Sequence, residues 1–153
     1  MTAEERIEEL GLDLSSPPAP IANYVPAVCT GNLVFLSGQG ARGPDGEFLT
    51  GKVGSALSVD EAYEAARLVG IGLLAALRNE LGSLDRVVRV VKTLGMVNAE
   101  RGFTDHPRVI NGTSDLFVEV FGDAGRGARS AVGMGSLPNQ ISVEVEMILE
   151  VRD

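Results

Sequence analysis

A long helix, predicted between Ser58 and Gly82, constrains the fold more than any other feature of the sequence. Ser58 precedes the helix and Glu61 follows three positions later, which is the arrangement of a capping box. Apolar side chains recur at helical spacing as far as Leu81, and Gly82 supplies the stop. An amphipathic helix of this kind must bury one side, and the β-branched run at residues 87–97 predicts a strand that it can cover.

The other predicted elements alternate between strands and a second helix, at residues 32–37, 47–50, 107–121, 129–134 and 141–151. Short apolar runs between turn residues indicate the strands, and helical spacing indicates the helix. This order predicts an α+β domain with a mixed sheet of about six strands and two helices on one face. The other face must be polar or covered by another subunit, and the small size of the chain favours a subunit.

The first 20 residues are predicted to form an N-terminal arm, and residues 21–153 form the domain itself. Residues 4–10 can form a short helix with Ile7 and Leu10 on one side. That helix runs into Gly11 and then into a proline-rich stretch at residues 15–20, where a helix cannot continue.

The composition excludes several classes of function. The chain has a formal charge of −8 at pH 7, and because a nucleic-acid face needs many Lys and Arg, we expect no nucleic-acid partner. Cys29 is the single cysteine and His106 the single histidine, so an internal disulfide and the usual zinc sets are absent. We expect no metal and no cofactor. No apolar segment is long enough to span a bilayer and the chain begins with acidic residues, so we expect a cytoplasmic protein with no membrane partner.

Arg129 and Glu144 are the pair of residues best suited to chemistry. The planar fork of arginine suits bidentate capture of a carboxylate, and a carboxylate beside a fixed cation can accept a proton from water. Two antiparallel strands joined across residues 137–139 would place the two side chains on neighbouring strands. Taken alone, the same two residues also fit a structural ion pair on a sheet.

Three sequence motifs that follow one another in a fixed order carry a more specific signal than Arg129 and Glu144 alone. They are NYVPAV at residues 23–28 leading to GNLVFLSGQ at 31–39, then ARSAV at 128–132 followed by Leu137-Pro138, and VEVE at 143–146. Together they resemble the Rid (YjgF) family of reactive-intermediate enamine and imine deaminases, which also carries the labels endoribonuclease L-PSP and translation inhibitor. The resemblance covers residues 21–151. Longer segments at 98–108 and 122–127 indicate a divergent branch of that family.

The resemblance implies a chorismate-mutase-like fold and a homotrimer with its sites in the clefts between subunits. It makes Arg129 the anchor for a substrate carboxylate and Glu144 the group that positions or activates water. It also implies five substrate-binding positions: Tyr24, Ser37, Gly38, Asn111 and Ala131.

The activity that the resemblance implies is cofactor-free hydrolysis of small 2-imino acids to 2-oxo acids and ammonia. The imines would form from enamine tautomers such as 2-aminoacrylate. A trimer that binds a small carboxylate in the same cleft without turnover, as a sensor, fits the same anchor. Endoribonuclease action is disfavoured by the charge of −8 and by the lack of a second histidine.

Overall fold

The computed structural model describes all 153 residues, which form three α-helices and a five-stranded sheet. The elements are α1 (Ala3–Glu9), β1 (Ala27–Thr30), β2 (Leu33–Gly40), α2 (Val59–Leu81), β3 (Val87–Asn98), α3 (His106–Phe121), β4 (Ala128–Met134) and β5 (Val143–Val151). Helix α2 begins and ends where its caps predict. Ser58 and Glu61 exchange both hydrogen bonds of the capping box, and Gly82 ends the helix in the left-handed region at φ 80°.

The sheet has the strand order β1-β2-β5-β3-β4, in which β4 runs parallel to β3 and all other neighbours are antiparallel. The α+β class and the mixed sheet are confirmed, but the prediction of about six strands is wrong. Residues 47–50 form only single bridges, from Phe48 to Arg42 and from Thr50 to Ile141. A segment that changes partner after two residues builds no ladder, so it does not become a sixth strand.

Strands β4 and β5 are not neighbours, so the predicted antiparallel pairing across residues 137–139 is wrong. Strand β3 lies between them and pairs with both. The connection crosses the carboxyl end of β3 and contains a tight turn in which Asn139 and Gln140 have φ angles of 55° and 56°. Arg129 and Glu144 consequently lie on strands that are separated by a third.

Helices α2 and α3 cover one face of the sheet. The side chains of β5 that are buried on this face alternate along the strand: Val143, Val145, Met147, Leu149 and Val151. Helix α1 joins the same core through Ile7, and Arg6 Nη1 donates a hydrogen bond to the Val120 carbonyl near the end of α3. None of the helices has the length and apolar character needed to cross a membrane.

The opposite face of the sheet, called the open face below, keeps apolar side chains in contact with solvent. Val28 on β1 is 50% exposed, and its cross-strand partner Phe35 on β2 is 42% exposed. Leu94 and Ile148 continue this surface across β3 and β5 and line a shallow depression with them. Because contiguous apolar patches on a protein surface usually mark interaction sites, the open face is a candidate subunit interface.

Candidate functional site

A cleft of about 680 Å³ opens beside the middle of the sheet. Its walls come from the chain before β1, from the end of β2, from the turn before β5 and from the start of β5. Four of the predicted site residues line it: Tyr24, Ser37, Gly38 and Glu144. These four residues are called the Glu144 half-site below.

Glu144 projects over Gly38 because β2 has a bulge between Leu36 and Gln39. A Cβ atom at position 38 would lie 2.7 Å from Glu144 Oε2, so only glycine leaves the carboxylate where it is. No protein group hydrogen-bonds to this carboxylate or pairs with it. Burial, with repulsion from Glu146 as the smaller cause, raises the pKa of Glu144 above its usual value. A half-buried carboxylate without a partner is suited to exchange protons with a ligand or with water.

Ser37 fixes the chain that forms one wall of the cleft. Its Oγ donates a hydrogen bond of 2.6 Å to the Val25 carbonyl, and its backbone N–H donates to the Pro26 carbonyl at 2.9 Å. Tyr24, one residue before Val25, is thereby held at the cleft with its side chain 44% exposed. These two hydrogen bonds hold the Tyr24 segment against β2, and the substrate-binding role of Ser37 stays a prediction.

Arg129 lies on β4, at the edge of the sheet, and reaches helix α3. Its Nη1 donates to Asn111 Oδ1 at 2.8 Å and to Ser114 Oγ at 3.2 Å. No carboxylate in the chain pairs with this guanidinium, so its charge is oriented but not neutralised. Ser114 was not among the predicted residues, although its position three residues after Asn111 places both on one side of the helix. An oriented arginine without an acidic partner is suited to bind a carboxylate.

Ala131 belongs with Arg129. It pairs with Gly95 on β3, where an added Cβ would lie 2.5 Å from Ile110 Cγ1 of α3, so this position faces the helices. Arg129 stands two residues earlier on the same strand and faces the same way. Asn111, Ser114, Arg129 and Ala131 are called the Arg129 half-site below.

The two half-sites do not meet within one chain. Glu144 alternates with the buried positions of β5 and faces the open side of the sheet, whereas Arg129 faces the helices. Arg129 pairs with Thr93, Thr93 pairs with Met147, and Glu144 lies three residues before Met147 on β5. Two strand spacings and three residues along the strand put the Cα atoms of Arg129 and Glu144 about 14 Å apart. The structure therefore brings together the members of each half-site but not the two half-sites.

Known proteins resemble this chain over almost its full length. Residues 4–150 match the profile of the family described as "YjgF/chorismate_mutase-like, putative endoribonuclease". Protein TCP17 of Trypanosoma cruzi is 40% identical over 148 residues, which cover 96% of this chain and 92% of that protein. A 2-iminobutanoate/2-iminopropanoate deaminase of Dermatophagoides farinae is 31% identical over 141 residues, covering 90% and 94% of the two chains. The crystal structure of Atu1372 from Agrobacterium tumefaciens, a protein of unknown function, has a TM-score of 0.88 at 40% identity and covers 99% of this chain and 94% of its own.

Proposed function

Because the chain belongs to the YjgF/chorismate-mutase-like family, we propose that it hydrolyses small 2-imino acids to 2-oxo acids and ammonia without a cofactor. The observation that carries the proposal is the state of Glu144, a half-buried carboxylate that has no partner in the chain and has a raised pKa. The 31% identity to a 2-iminobutanoate/2-iminopropanoate deaminase supports the same chemistry.

The proposed reaction adds water across the C=N bond of the imine. Glu144 accepts a proton from water as the water oxygen forms a bond to the imine carbon, and the C=N double bond becomes a single bond. Glu144 passes this first proton to the nitrogen, which gives a carbinolamine. It then accepts the proton of the new hydroxyl group as the C–N bond breaks and the oxygen forms the carbonyl of the 2-oxo acid, and it transfers that second proton to the nitrogen, which leaves as ammonia. A raised pKa makes the carboxylate of Glu144 a better proton acceptor than an ordinary glutamate, which suits a group that must both accept and donate a proton.

Arg129 would hold the substrate by its carboxylate. Its Nη1 is engaged by Asn111 and Ser114, so the planar guanidinium is oriented before the substrate arrives. Charge-assisted hydrogen bonds of this kind contribute about 1.5–3 kcal/mol each, and an oriented donor loses little entropy when they form.

A complete site requires a second copy of the chain, because the half-sites lie on different sides of one sheet. We place the Arg129 half-site of one copy against the Glu144 half-site of the next in a homotrimer. Two features support this arrangement: the exposed apolar side chains of the open face, and the position of β4 at the sheet edge. A closed ring gives every copy one complete site.

The test generates 2-aminoacrylate or 2-iminobutanoate in solution and follows its loss with and without the protein. We expect wild type to accelerate the loss, and Arg129→Ala and Glu144→Gln to abolish the acceleration. Equal and slow loss with wild type and with Arg129→Ala would refute the proposed hydrolysis. If wild type then bound 2-oxo acids in an Arg129-dependent way, the result would favour the non-catalytic sensor.

A further inference from the structure

One basic side chain lines the cleft, and the proposed reaction does not use it. Arg42 follows β2 by two residues, and every other charged residue of the cleft lining is acidic: Glu144 and Glu146. The chain has a formal charge of −8, so carboxylates are abundant, yet Arg42 pairs with none of them beside the proposed site. Its charge is therefore available to attract an anionic ligand.

The guanidinium of Arg42 is held by groups other than acids. It lies over the ring of Phe48, with Cζ 3.8 Å from the ring centroid, and Nη1 donates a hydrogen bond of 2.7 Å to the Gly46 carbonyl. No carboxylate forms an ion pair with it. The stacking and the hydrogen bond fix the orientation of the group but leave its charge and its remaining N–H donors free.

The backbone places Arg42 on the same side as Glu144. Gly40 pairs with Glu144 in the ladder, and Ala41 is fully buried, so Arg42 returns to the open side of the sheet. Two residues along the chain and one strand spacing put its Cα within about 8 Å of the Glu144 Cα. Gly38 and Gly40 carry no side chains, so nothing from β2 stands between the two groups on that side.

We infer that Arg42 binds a second acidic group of the ligand, and that the cleft takes 2-imino and 2-oxo acids that carry a side-chain carboxylate. The inference rests on the proposed function, because it assumes that the first carboxylate binds Arg129 of a neighbouring copy and that the reacting carbon lies beside Glu144. Arg42 then sets the substrate class, and small uncharged imino acids are the weaker ligands.

The test compares 2-oxoglutarate with 2-oxopentanoate, which has the same five-carbon chain without the terminal carboxylate. Calorimetric titration of the wild-type protein should give 2-oxoglutarate the lower Kd by about 10- to 100-fold, the effect of one charge-assisted pair. Arg42→Gln should remove the preference and leave the Kd of 2-oxopentanoate unchanged, while Arg42→Lys should retain part of it. Arg101→Gln, which removes the same charge from an exposed position that forms no ion pair, should bind both ligands as wild type does.

The outcomes separate this inference from the proposed function. Binding of 2-oxopentanoate by wild type without a preference for 2-oxoglutarate overturns the role of Arg42 and leaves the proposed function standing. A preference that persists in Arg42→Gln also overturns it. Failure of wild type to bind either acid also overturns the inference, whereas the proposed function is decided by the imine-hydrolysis assay. Retained 2-oxopentanoate binding in Arg42→Gln shows that the variant is folded, so a lost preference then supports the inference.

Discussion

Gly38→Ala should separate activity from stability. The added Cβ would lie 2.7 Å from Glu144 Oε2, and ordinary contact begins at 3.4 Å, so the carboxylate must retreat by about 0.7 Å. Misplacement of a catalytic group by about 1 Å costs on the order of 100-fold in rate, so we expect kcat/KM for imine hydrolysis to fall about 10- to 100-fold. Gly38 does not have a positive φ, so alanine adds no backbone strain. It should stabilise the fold by about 0.4–1 kcal/mol through the unfolded chain, which raises Tm by at most about 4 °C.

The matched control is Gly70→Ala in helix α2. Its added Cβ would lie 2.9 Å from Leu116 Cδ2 and in ordinary contact with Thr113, at 3.5 Å, which is a similar crowding inside the core and away from the Glu144 half-site. We expect Gly70→Ala to change Tm and leave kcat/KM unaltered. Activity is measured as accelerated loss of 2-iminobutanoate, and Tm by differential scanning calorimetry. A folded Gly38→Ala variant with wild-type activity would refute the assignment of catalysis to Glu144 in its observed position.

Three further predictions concern stability and assembly. Burial raises the pKa of Glu144, so the charged carboxylate destabilises the fold above that pKa, whereas the protonated group does not destabilise it below the ordinary glutamate pKa. Glu144→Gln should therefore have a higher Tm than wild type at pH 8 and an equal Tm below about pH 4. Equal Tm values at both pH values would contradict this. Ser37→Ala removes the 2.6 Å hydrogen bond to the Val25 carbonyl and should lower the free energy of unfolding, measured by chemical denaturation, by about 1 kcal/mol. KM should rise because Tyr24 is held less firmly at the cleft. An unchanged KM would show that substrate binding does not need the Tyr24 segment in this position. Phe35→Glu places a charge on the open face and should give folded monomers by light scattering; intact oligomers would exclude this face as the interface.

Local sequence signals predicted the helices well. The ends of α2 follow from Ser58, Glu61 and Gly82, because a capping box and a left-handed glycine act within one turn of the chain. The alternation of buried and exposed side chains along β5 was predicted equally well, because the burial pattern of a strand with one buried face repeats every two residues. Both patterns depend only on neighbouring residues.

Long-range pairing was harder to predict. The crossing from β4 to β5 depends on how β3 packs between them. Asn139 favours the left-handed region, but such a local turn signal does not show which strand β5 pairs with. The predicted site residues therefore separated into two half-sites. The apolar stretch around Cys29 favours a buried thiol, but Cys29 is exposed because β1 is the edge strand of the sheet and its outer positions are not covered. The sequence alone does not indicate the place of Arg42 in the cleft, because the orientation of its guanidinium depends on Phe48, six residues away across a turn.

The most direct test of a site shared between copies is activity in a mixed oligomer. Arg129→Ala retains the Glu144 half-site and Glu144→Gln retains the Arg129 half-site, so each variant alone should be inactive. Co-expression with different tags and purification through both tags gives mixed oligomers. If each site takes one half from each of two neighbours, every trimer that carries both tags has one complete site out of three, and we predict about a third of wild-type imine hydrolysis. Mixed oligomers that form and remain inactive would contradict a site built between copies.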